Sequence, residues 1–322
     1  MKTISDYRLE IESAIQGLEF PDGKYSSLYE PIRYSLTAGG KRLRPVLTLM
    51  GADAFGSNAE EATDAAIGIE IFHNFTLVHD DVMDKSDMRR GRPTVHSKYD
   101  ENAAILSGDT MLTVASQMIS RVADDKLRKV TDTFNDVAIK VYEGQRLDMD
   151  FENASEISPE SYIEMIVGKT GSLLGGSVKI GAIIGGASEK DADLIYEFGV
   201  MTGVAFQIQD DWLDTFGDPA TFGKPIGGDI NNNKKTYLYI SALAQGGQHA
   251  EALKSAFEIP SGEMRIKTVT RLYEKAGIGE ICKKAVSQYS SKALKALNAT
   301  SLSEDKKEIF RQFAEKLIGR KK

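Results

Sequence analysis

The chain has 322 residues, of which 41% are hydrophobic and 27% charged, a composition typical of a folded globular protein with a sizeable core. Its net charge of −7, from 40 basic and 47 acidic residues, argues against nucleic acid as the main partner. The one cysteine, Cys282, excludes a disulfide framework and any cysteine-rich zinc site. The first residues lack the apolar segment of a signal peptide, and no stretch reaches the roughly 18 uncharged apolar residues of a membrane span. We therefore expect a cytoplasmic protein without a membrane span.

Helical periodicity extends over most of the chain, and only eight prolines interrupt it. Apolar residues recur at helical spacing in segments 1–17, 60–84, 102–122, 130–152, 158–186, 189–217, 235–245, 262–299 and 303–321. No segment shows a convincing two-residue alternation of apolar and polar residues between hairpin turns. We therefore predict an all-α fold with one continuous core, in which residues 1–322 form a single domain.

A cluster of carboxylates stands in the segment LVHDDVMDKSDMRRGRP, residues 77–93, at the end of an apolar helical run. Its pattern D-D-x-x-D comprises Asp80, Asp81 and Asp84, of which the first and last lie one helical turn apart on the same face. The same pattern recurs at the end of a second apolar run, at Asp210, Asp211 and Asp214. One such cluster is as easily explained as a solvated helix end, but two copies at identical spacing favour a shared function.

Carboxylates held this close together repel one another, and burying them is costly unless a positive charge compensates them. Divalent cations with oxygen ligands provide that compensation, and Mg²⁺ prefers one or two carboxylates together with water and substrate phosphate oxygens. We therefore predict that the two aspartate motifs face each other and hold a diphosphate through bridging Mg²⁺ ions.

Short basic motifs supply positive charge that can bind phosphate oxygens directly. They are GGKRLRP with Lys41, Arg42 and Arg44, DMRRGRP with Arg89, Arg90 and Arg92, and four lysines in Gly- or Asn-rich contexts, Lys169, Lys224, Lys234 and Lys235. In an acidic chain, this concentration of basic residues indicates polyanion binding at defined points. For any one lysine, and for Lys235 in particular, a contribution to surface solubility is the simpler interpretation.

Six motifs in order along the chain make it resemble the trans-isoprenyl diphosphate synthases, also called polyprenyl synthetases. They are GGKRLRP, LVHDDVMDKSDMRRGRPTVH, GDTML, VGKTGSLL, AFQIQDDWLDTFGD and GKPIGGDINNNKKTYL. The resemblance implies a bundle of antiparallel helices around a deep central cavity, usually as a homodimer. It also implies Mg²⁺-dependent head-to-tail condensation of isopentenyl diphosphate with C5–C15 allylic diphosphates, which gives a linear all-trans prenyl diphosphate and releases diphosphate.

The resemblance also assigns roles to individual residues of this chain. It implies that Mg²⁺ is bound by Asp80, Asp81, Asp84, Asp210 and Asp214, with Asp211 supporting Asp210. It implies that the allylic diphosphate is bound by Arg89, Lys169, Lys224 and Lys234, and isopentenyl diphosphate by Lys41, Arg44, His73 and Arg90. Thr170 and Gln207 are expected beside the reacting carbons, where their dipoles stabilise a carbocation. The physical basis is that an allylic C–O bond ionises when metal and cations stabilise the departing diphosphate.

Product length in this family depends on residues upstream of the first aspartate motif, where Phe72 and Phe75 stand three positions apart and share a helix face. Ordinary core packing explains the same residues, because a cavity floor is also core. Thr76 is small, so the chain lacks the paired aromatics of animal-type farnesyl synthases, and Phe75 resembles the single bulky residue of geranylgeranyl synthases. We therefore predict a floor formed by Phe72, Phe75 and Thr76 and a C20 product, with C15 as the alternative.

Three other functions fit the residues less well. A class I terpene cyclase on the same fold would carry N-D-x-x-S/T-x-x-x-E in place of the second aspartate motif, and the segment NDVAIKVYE, residues 135–143, has Ile139 where an oxygen ligand is required. A non-catalytic partner subunit would lack an aspartate motif or the basic residues, all of which are present. A helical scaffold with acidic surface clusters leaves the paired spacing of the aspartates unexplained.

Overall fold

The computed structural model describes residues 1–154, 156–218 and 226–319 of the chain. This part of the chain is almost entirely helical, which confirms the predicted all-α fold. Its α-helices are α1 (Ile4–Gln16), α2 (Ser26–Leu36), α3 (Leu43–Phe55), α4 (Thr63–Met83), α5 (Val95–Lys98), α6 (Glu101–Ile119), α7 (Asp124–Asn153), α8 (Pro159–Ile166), α9 (Ser172–Ile184), α10 (Glu189–Phe216), α11 (Gly228–Asn231), α12 (Tyr237–Ala244), α13 (Gly247–Phe257), α14 (Glu263–Lys275), α15 (Ile278–Ala299) and α16 (Glu304–Ile318). Shorter helical segments are the 3₁₀ turns Gly23–Tyr25 and Ala59–Ala62 and the π segment Val167–Gly171.

The helices group into two compact units. The first unit contains Met1–Asn135 and Gly176–Asp193, and the second contains Asp136–Gly175 and Leu194–Lys322. The boundaries fall within the helices α7, α9 and α10, so each of these helices contributes residues to both units. Within the ranges that the structure describes, no helix is long and apolar enough to cross a membrane.

Helix α4 forms the centre of the first unit's core because it is apolar on nearly every side. It packs closely on α6, and α3 lies against it as well. Its fully buried side chains include Ile69, Ile71 and Phe72. The first aspartate motif begins in the last turn of this helix, so the packing of the core fixes where Asp80 and Asp81 lie.

The second unit has its own hydrophobic core, to which α10, α12, α14 and α15 contribute. Val204 and Ile208 of α10 are completely buried in it, seven and three residues before Asp211. Tyr162 from α8 and Tyr273 from α14 belong to the same cluster. The second aspartate motif is therefore also carried by a helix that buried apolar side chains hold in place.

The helices α2, α3 and α13 lie outside the predicted helical segments, and local structure differs from the sequence prediction at two further places. Residues 262–299 form two helices rather than one, because Gly277 adopts a left-handed conformation (φ +67°) that separates α14 from α15. Residues 88–93 form a small hairpin, although no strand was predicted, and β1 (Met88–Arg89) pairs antiparallel with β2 (Arg92–Pro93). Its turn consists of Arg90 (φ +52°) and Gly91 (φ +74°), and two left-handed turn residues match the twist of paired strands.

Candidate active site

Arg89 binds Asp81 within the first aspartate motif. Asp81 is 4% exposed, and burial raises the pKa of its carboxyl group although the charge of Arg89 opposes this shift. The guanidinium of Arg89 donates from Nε to both carboxylate oxygens, at 2.8 and 2.9 Å, and its Nη2 lies 2.8 Å from Oδ1. Asp80 is partly exposed, and Asp84 is exposed at the end of α4. The structure thus joins a predicted metal ligand to a predicted phosphate-binding residue.

The β1–β2 hairpin brings two basic motifs of the first unit together. Arg89 lies on β1 and Arg90 in the turn that follows it. Arg90 donates from Nη1 to the backbone carbonyl of Gly39. Its guanidinium also lies against Gly40, where an added Cβ atom would come within 3.0 Å of Nη1. The motifs GGKRLRP and DMRRGRP, which are distant in sequence, therefore meet in the folded chain.

Arg44 and His73 form a second contact between predicted substrate-binding residues, with 3.1 Å between Nη1 and Nε2. Because a guanidinium only donates hydrogen bonds, Nε2 is the acceptor and the neutral imidazole carries its proton on Nδ1. Burial, followed by the charges of Arg44 and Arg90, lowers the pKa of His73 well below its usual value, so the ring is neutral at pH 7. Burial also lowers the pKa of Arg44 to about 10, and its Nε has no hydrogen-bond partner among the described residues. A desolvated cation of this kind favours an anionic ligand.

Asp211 is surrounded by hydrogen-bond donors in the second unit and is 3% exposed. Tyr162 donates its hydroxyl to Oδ2 at 2.7 Å, and the backbone N–H of Tyr237 donates to the same oxygen at 3.1 Å. Gln207 donates from Nε2 to Oδ1 at 3.1 Å. Burial, followed by the charge of Asp229, raises the pKa of Asp211 to about 7. Three donors, one of them a backbone N–H, hold the two oxygens of Asp211 within the fold, which fits a supporting role rather than a metal-binding one.

Asp214 joins the second aspartate motif to the segment that contains α11. Its backbone carbonyl accepts a hydrogen bond from the N–H of Gly227 at 2.6 Å, and its Oδ2 accepts one from the N–H of Asp229 at 2.9 Å. Burial, followed by the charge of Asp229, raises the pKa of Asp214 to about 6. Lys234, at 3.7 Å from the Asp229 carboxylate, is exposed. The raised pKa means that the anionic form of Asp214 is disfavoured, and a nearby cation would stabilise that form.

The raised pKa of Asp211 predicts a pH-dependent stability difference between the wild type and Asp211→Asn. The folded protein binds this proton more tightly than the unfolded chain, whose aspartate pKa is 3.8, so the free energy of unfolding falls as the pH rises from about 4 to about 7. Asparagine does not ionise and does not suffer this loss. Without added Mg²⁺, the melting temperature of the variant relative to the wild type is expected to rise between pH 5 and pH 8. Thermal melts at both pH values check this, and a difference that stays constant with pH would contradict it.

The π segment Val167–Gly171 carries Lys169 and Thr170 in the second unit. The Nζ of Lys169 lies 2.5 Å from the Asp148 carboxylate on α7. The Thr170 hydroxyl donates to Oε1 of Gln207 at 3.5 Å, while the amide nitrogen of Gln207 binds Asp211. The two residues predicted beside the reacting carbons are therefore neighbours. A π segment inserted between α-helices is frequent at functional sites.

Gly144 of α7 allows the π segment to approach closely. A Cβ atom added at Gly144 would lie 2.1 Å from the backbone nitrogen of Lys169 and 2.6 Å from the carbonyl carbon of Gly168. Because backbone atoms cannot rotate away, Gly144→Ala is expected to displace Lys169 and Thr170 and to lower kcat by about 10²-fold. It should also lower the free energy of unfolding by roughly 1–3 kcal/mol.

Steady-state kinetics and thermal unfolding test this prediction, with Gly17→Ala as the matched control. An added Cβ at Gly17 would lie 3.6 Å from the carbonyl oxygens of Ser13 and Ala14, an ordinary contact, and the backbone of Gly17 is not left-handed. Gly17→Ala should therefore keep the wild-type kcat. A Gly144→Ala variant with wild-type kcat would show that the contact at Lys169 can relax without cost.

The carboxylates of the two motifs fit Mg²⁺ by their chemistry. Within residues 1–154, 156–218 and 226–319, no three His, Cys, Asp or Glu side chains are already arranged around a metal position. Mg²⁺ does not require such an arrangement, since one or two carboxylates with substrate phosphate oxygens and water usually complete its shell. Burial, followed by the charge of Asp229, raises the pKa of Asp214, and a divalent cation would favour its anionic form. We therefore keep the aspartates as candidate ligands.

The remaining sequence predictions have varied outcomes. Lys41 is exposed, and Lys224 lies outside the described residues. For Lys235 the surface-solubility interpretation was wrong, because its ammonium donates to the last carbonyls of α7 and just beyond, those of Phe151, Glu152 and Ala154. The contacts of Asp148 with Lys169, of Asp229 with Asp214 and of Tyr162 with Asp211 were not predicted, because the partners are 15 to 49 positions apart in the sequence.

Phe72 and Phe75 lie side by side in the first unit, as their shared helix face predicts, with ring centroids 5.6 Å apart. Phe72 is completely buried and also packs edge-on against Phe134 at 5.2 Å. Phe75 packs against the ring of His79 at 4.8 Å. The hydroxyl of Thr76 donates to a backbone carbonyl of its own helix. This packing is compatible with a cavity floor, which stays a prediction.

A predominantly helical chain has the features of an enzyme that binds diphosphates when two core helices carry aspartate motifs and each motif has arginine or lysine side chains nearby. The family model for polyprenyl synthetase matches residues 25–275. The chain therefore belongs to the polyprenyl synthetase family.

Individual relatives agree with this assignment. The chain is 38% identical over 262 residues to geranylgeranyl diphosphate synthase of Methanosarcina mazei, covering 81% of each chain. It superposes on a crystal structure of geranylgeranyl pyrophosphate synthase with a TM-score of 0.94 and 41% identity, over 100% of both chains. A geranylgeranyl pyrophosphate synthase from Corynebacterium glutamicum, complexed with isoprenyl diphosphate and magnesium, has a TM-score of 0.83 and 28% identity, over 99% of this chain and 96% of that one.

Proposed function

We propose that the protein is a prenyltransferase that condenses isopentenyl diphosphate head to tail with allylic diphosphates. The product is a linear all-trans prenyl diphosphate, and diphosphate is released. The observation that carries this proposal is the family match over residues 25–275, which contains both aspartate motifs and every predicted substrate-binding residue. The three similar proteins described above are all named geranylgeranyl diphosphate or pyrophosphate synthases, which favours C20 over C15 as the product.

Isopentenyl diphosphate binds, in this proposal, to the basic residues of the first unit. Arg44 offers the Nε–H that has no partner among the described residues, and His73 orients its guanidinium from the other side. Arg90, held at the carbonyl of Gly39, and the exposed Lys41 add further positive charge. Phosphate oxygens would replace the water that the Arg44 guanidinium has lost on burial, so that a bound diphosphate would offset its desolvation.

The allylic substrate reacts, in this proposal, next to Lys169, Thr170 and Gln207. Asp148 fixes the ammonium of Lys169, which binds the leaving diphosphate with Arg89, Lys224 and Lys234. Gln207 donates to Asp211, so its amide oxygen is directed to Thr170. The oxygen dipoles of these two side chains stabilise the allylic cation as it forms.

Mg²⁺ is the proposed metal, and its ligands are Asp80, Asp81, Asp84, Asp210 and Asp214. When bound, it supplies positive charge that stabilises the departing diphosphate. The complex of the Corynebacterium glutamicum relative with magnesium supports this choice. The proton that the new chain loses is expected to go to the released diphosphate, because the neutral His73 is already paired with Arg44.

We further propose that the protein is a cytoplasmic homodimer. Ile105 and Leu106, in the second turn of α6, are large apolar side chains that are 41% and 59% exposed. A second copy that covers this face would remove both side chains from water. Sedimentation of the wild type and of Leu106→Glu tests this, since the charged variant should shift the equilibrium toward monomer.

Product analysis tests the proposed function directly. Purified protein is incubated with isopentenyl diphosphate, Mg²⁺ and, separately, C5, C10 or C15 allylic diphosphate, and the dephosphorylated alcohols are identified. A linear C20 alcohol is expected with each starter. A linear C15 alcohol would keep the reaction but overturn the assigned length. A cyclic hydrocarbon, or no diphosphate release with any starter, would overturn the proposal.

A further inference from the structure

Arg42 stands between two predicted phosphate-binding residues of the motif GGKRLRP, yet its side chain is 1% exposed. Its Nη1 donates to Oε1 of Glu70 at 2.7 Å, and its Nε donates to Oε1 of Glu12 at 3.1 Å. Its Nη2 donates to the backbone carbonyl of Leu36 at 2.8 Å. A guanidinium enclosed by two carboxylates and a carbonyl is not presented to a diphosphate that arrives from solvent. Arg42 therefore has a different role from the predicted phosphate-binding residues Lys41 and Arg44.

The backbone of Arg42 is as unusual as its side chain. It adopts a left-handed conformation (φ +51°) directly before α3, and it follows Gly39 (φ +79°) and Gly40 (φ +144°). A residue with a side chain stays in this region only when its surroundings hold it there. The four hydrogen bonds of the guanidinium provide that hold. The conformation in turn sets the direction of Lys41 on one side and of Arg44 in α3 on the other.

Glu70 connects this loop, residues 39–44, to α4. Asn74 donates from Nδ2 to Oε1 of Glu70 at 3.1 Å, so the carboxylate is fixed from within its own helix. His73, three residues after Glu70, binds Arg44. Helix α4 therefore holds the loop at two points about one turn apart, through Arg42 and through Arg44. The same helix carries the first aspartate motif ten residues further on.

We propose that Arg42 is a positioning residue for the isopentenyl diphosphate site, which Glu12 and Glu70 hold in place, and that it does not bind the diphosphate itself. The proposal rests on the proposed function, because Lys41 and Arg44 are the residues that it positions. It replaces the interpretation of Arg42 as one of several phosphate-binding cations.

Glu70→Gln distinguishes a positioning role of Arg42 from an effect of net charge, because the two predict opposite changes in KM for isopentenyl diphosphate. If the motif acted through net positive charge alone, removing the Glu70 carboxylate would make the site more positive and lower KM for isopentenyl diphosphate. Positioning predicts a rise, because a glutamine cannot keep the ion pair that holds Arg42. In Glu70→Gln and Arg42→Met, KM for isopentenyl diphosphate should rise about 10- to 100-fold. At saturation, kcat and the KM for the allylic substrate should stay within about threefold of the wild type.

Two further variants sharpen this test. Arg42→Lys keeps the charge but loses the planar fork that reaches both glutamates, so the same rise in KM is expected. Arg33→Met is the matched control, since Arg33 forms an ion pair with the exposed Asp22 in the same unit, and it should leave both KM values unchanged. Glu12→Gln, at a position where the side chain is 31% exposed, should give a smaller rise and replaces Glu70→Gln if that variant does not fold.

The outcomes distinguish this proposal from the proposed function. An unchanged or lower KM for isopentenyl diphosphate in the glutamate variants overturns the positioning role. Equal rises in KM for both substrates also overturn it, because they would indicate general damage to the fold. Inactivity of the wild type with every allylic starter contradicts the proposed function instead.

Discussion

Asp210→Asn is expected to lower kcat by about 10³-fold, the size of effect that follows when a preorganised charge at the reacting group is removed. Asp211→Asn should lower kcat by only about 10- to 100-fold, as for a residue that supports a metal ligand. The two aspartates are adjacent in the same motif, so composition and helix position do not separate them. Asp211 is distinguished by its surroundings, because its oxygens accept hydrogen bonds from Tyr162, Gln207 and the backbone of Tyr237.

The same contacts predict which kinetic parameter changes. Loss of a metal ligand at Asp210 should raise the Mg²⁺ concentration needed for half-maximal rate, and saturating Mg²⁺ should restore only part of the activity. Asp211→Asn should leave that concentration nearly unchanged, since it acts through Gln207 and Tyr237. Rate measurements over a Mg²⁺ titration test both statements, with Asp136→Asn, an exposed aspartate of α7 in the same unit, as the control. Equal losses in the two motif variants would refute the division of roles.

Desolvation shifts the pKa of basic groups and of acidic groups in opposite directions. In the first unit, desolvation lowers the pKa of Arg44 and of His73, which disfavours their protonated forms. In the second unit, desolvation and Asp229 raise the pKa of Asp211 and of Asp214, which disfavours their anionic forms. Each unit therefore holds charge that the protein alone stabilises poorly. A bound anion would favour the charged form of Arg44, and a bound cation would favour the anionic form of Asp214.

Most of the helices and both aspartate motifs could be predicted because they are local patterns. Helical spacing of apolar residues persists over 10 to 30 positions, and a D-D-x-x-D repeat is visible without knowledge of the fold. The β1–β2 hairpin escaped prediction because strands of two residues are too short for alternation to show. Its signal was the turn pair Arg90-Gly91, since glycine readily supplies a left-handed conformation.

The roles of individual basic residues could not be predicted, because they depend on tertiary partners. Arg42 and Arg44 are two positions apart in one motif, yet Arg42 is enclosed by Glu12 and Glu70 while Arg44 retains an unpartnered Nε among the described residues. The role of Lys235 also depends on tertiary partners, since the carbonyls that it caps lie more than 80 positions earlier in the chain. Sequence patterns identify which residues can bind phosphate, and only the fold decides which of them is available.

Phe75→Ala is expected to lengthen the product beyond C20, and Phe72→Ala combined with it should lengthen the product further. Phe75 stands five residues before Asp80 on α4, and its ring contacts those of Phe72 and His79. If the growing chain ends against these rings, their removal opens space for additional five-carbon units. Each truncation of a buried phenylalanine should also cost roughly 3–5 kcal/mol of stability, so kinetics must be measured well below the melting temperature.

A control variant on the same helix distinguishes a specific change in product length from a general loss of core packing. Ile69 is completely buried and lies about 120° round α4 from Phe75, so Ile69→Ala should destabilise the protein without changing the product. Thr76→Phe is expected to act in the opposite direction, because a second aromatic next to Phe75 would stop the chain earlier and shift the product to C15. Chain lengths are read from the dephosphorylated alcohols of wild type and variants. Unchanged lengths in both Phe75→Ala and Thr76→Phe would place the floor elsewhere, since one variant removes volume and the other adds it at adjacent positions.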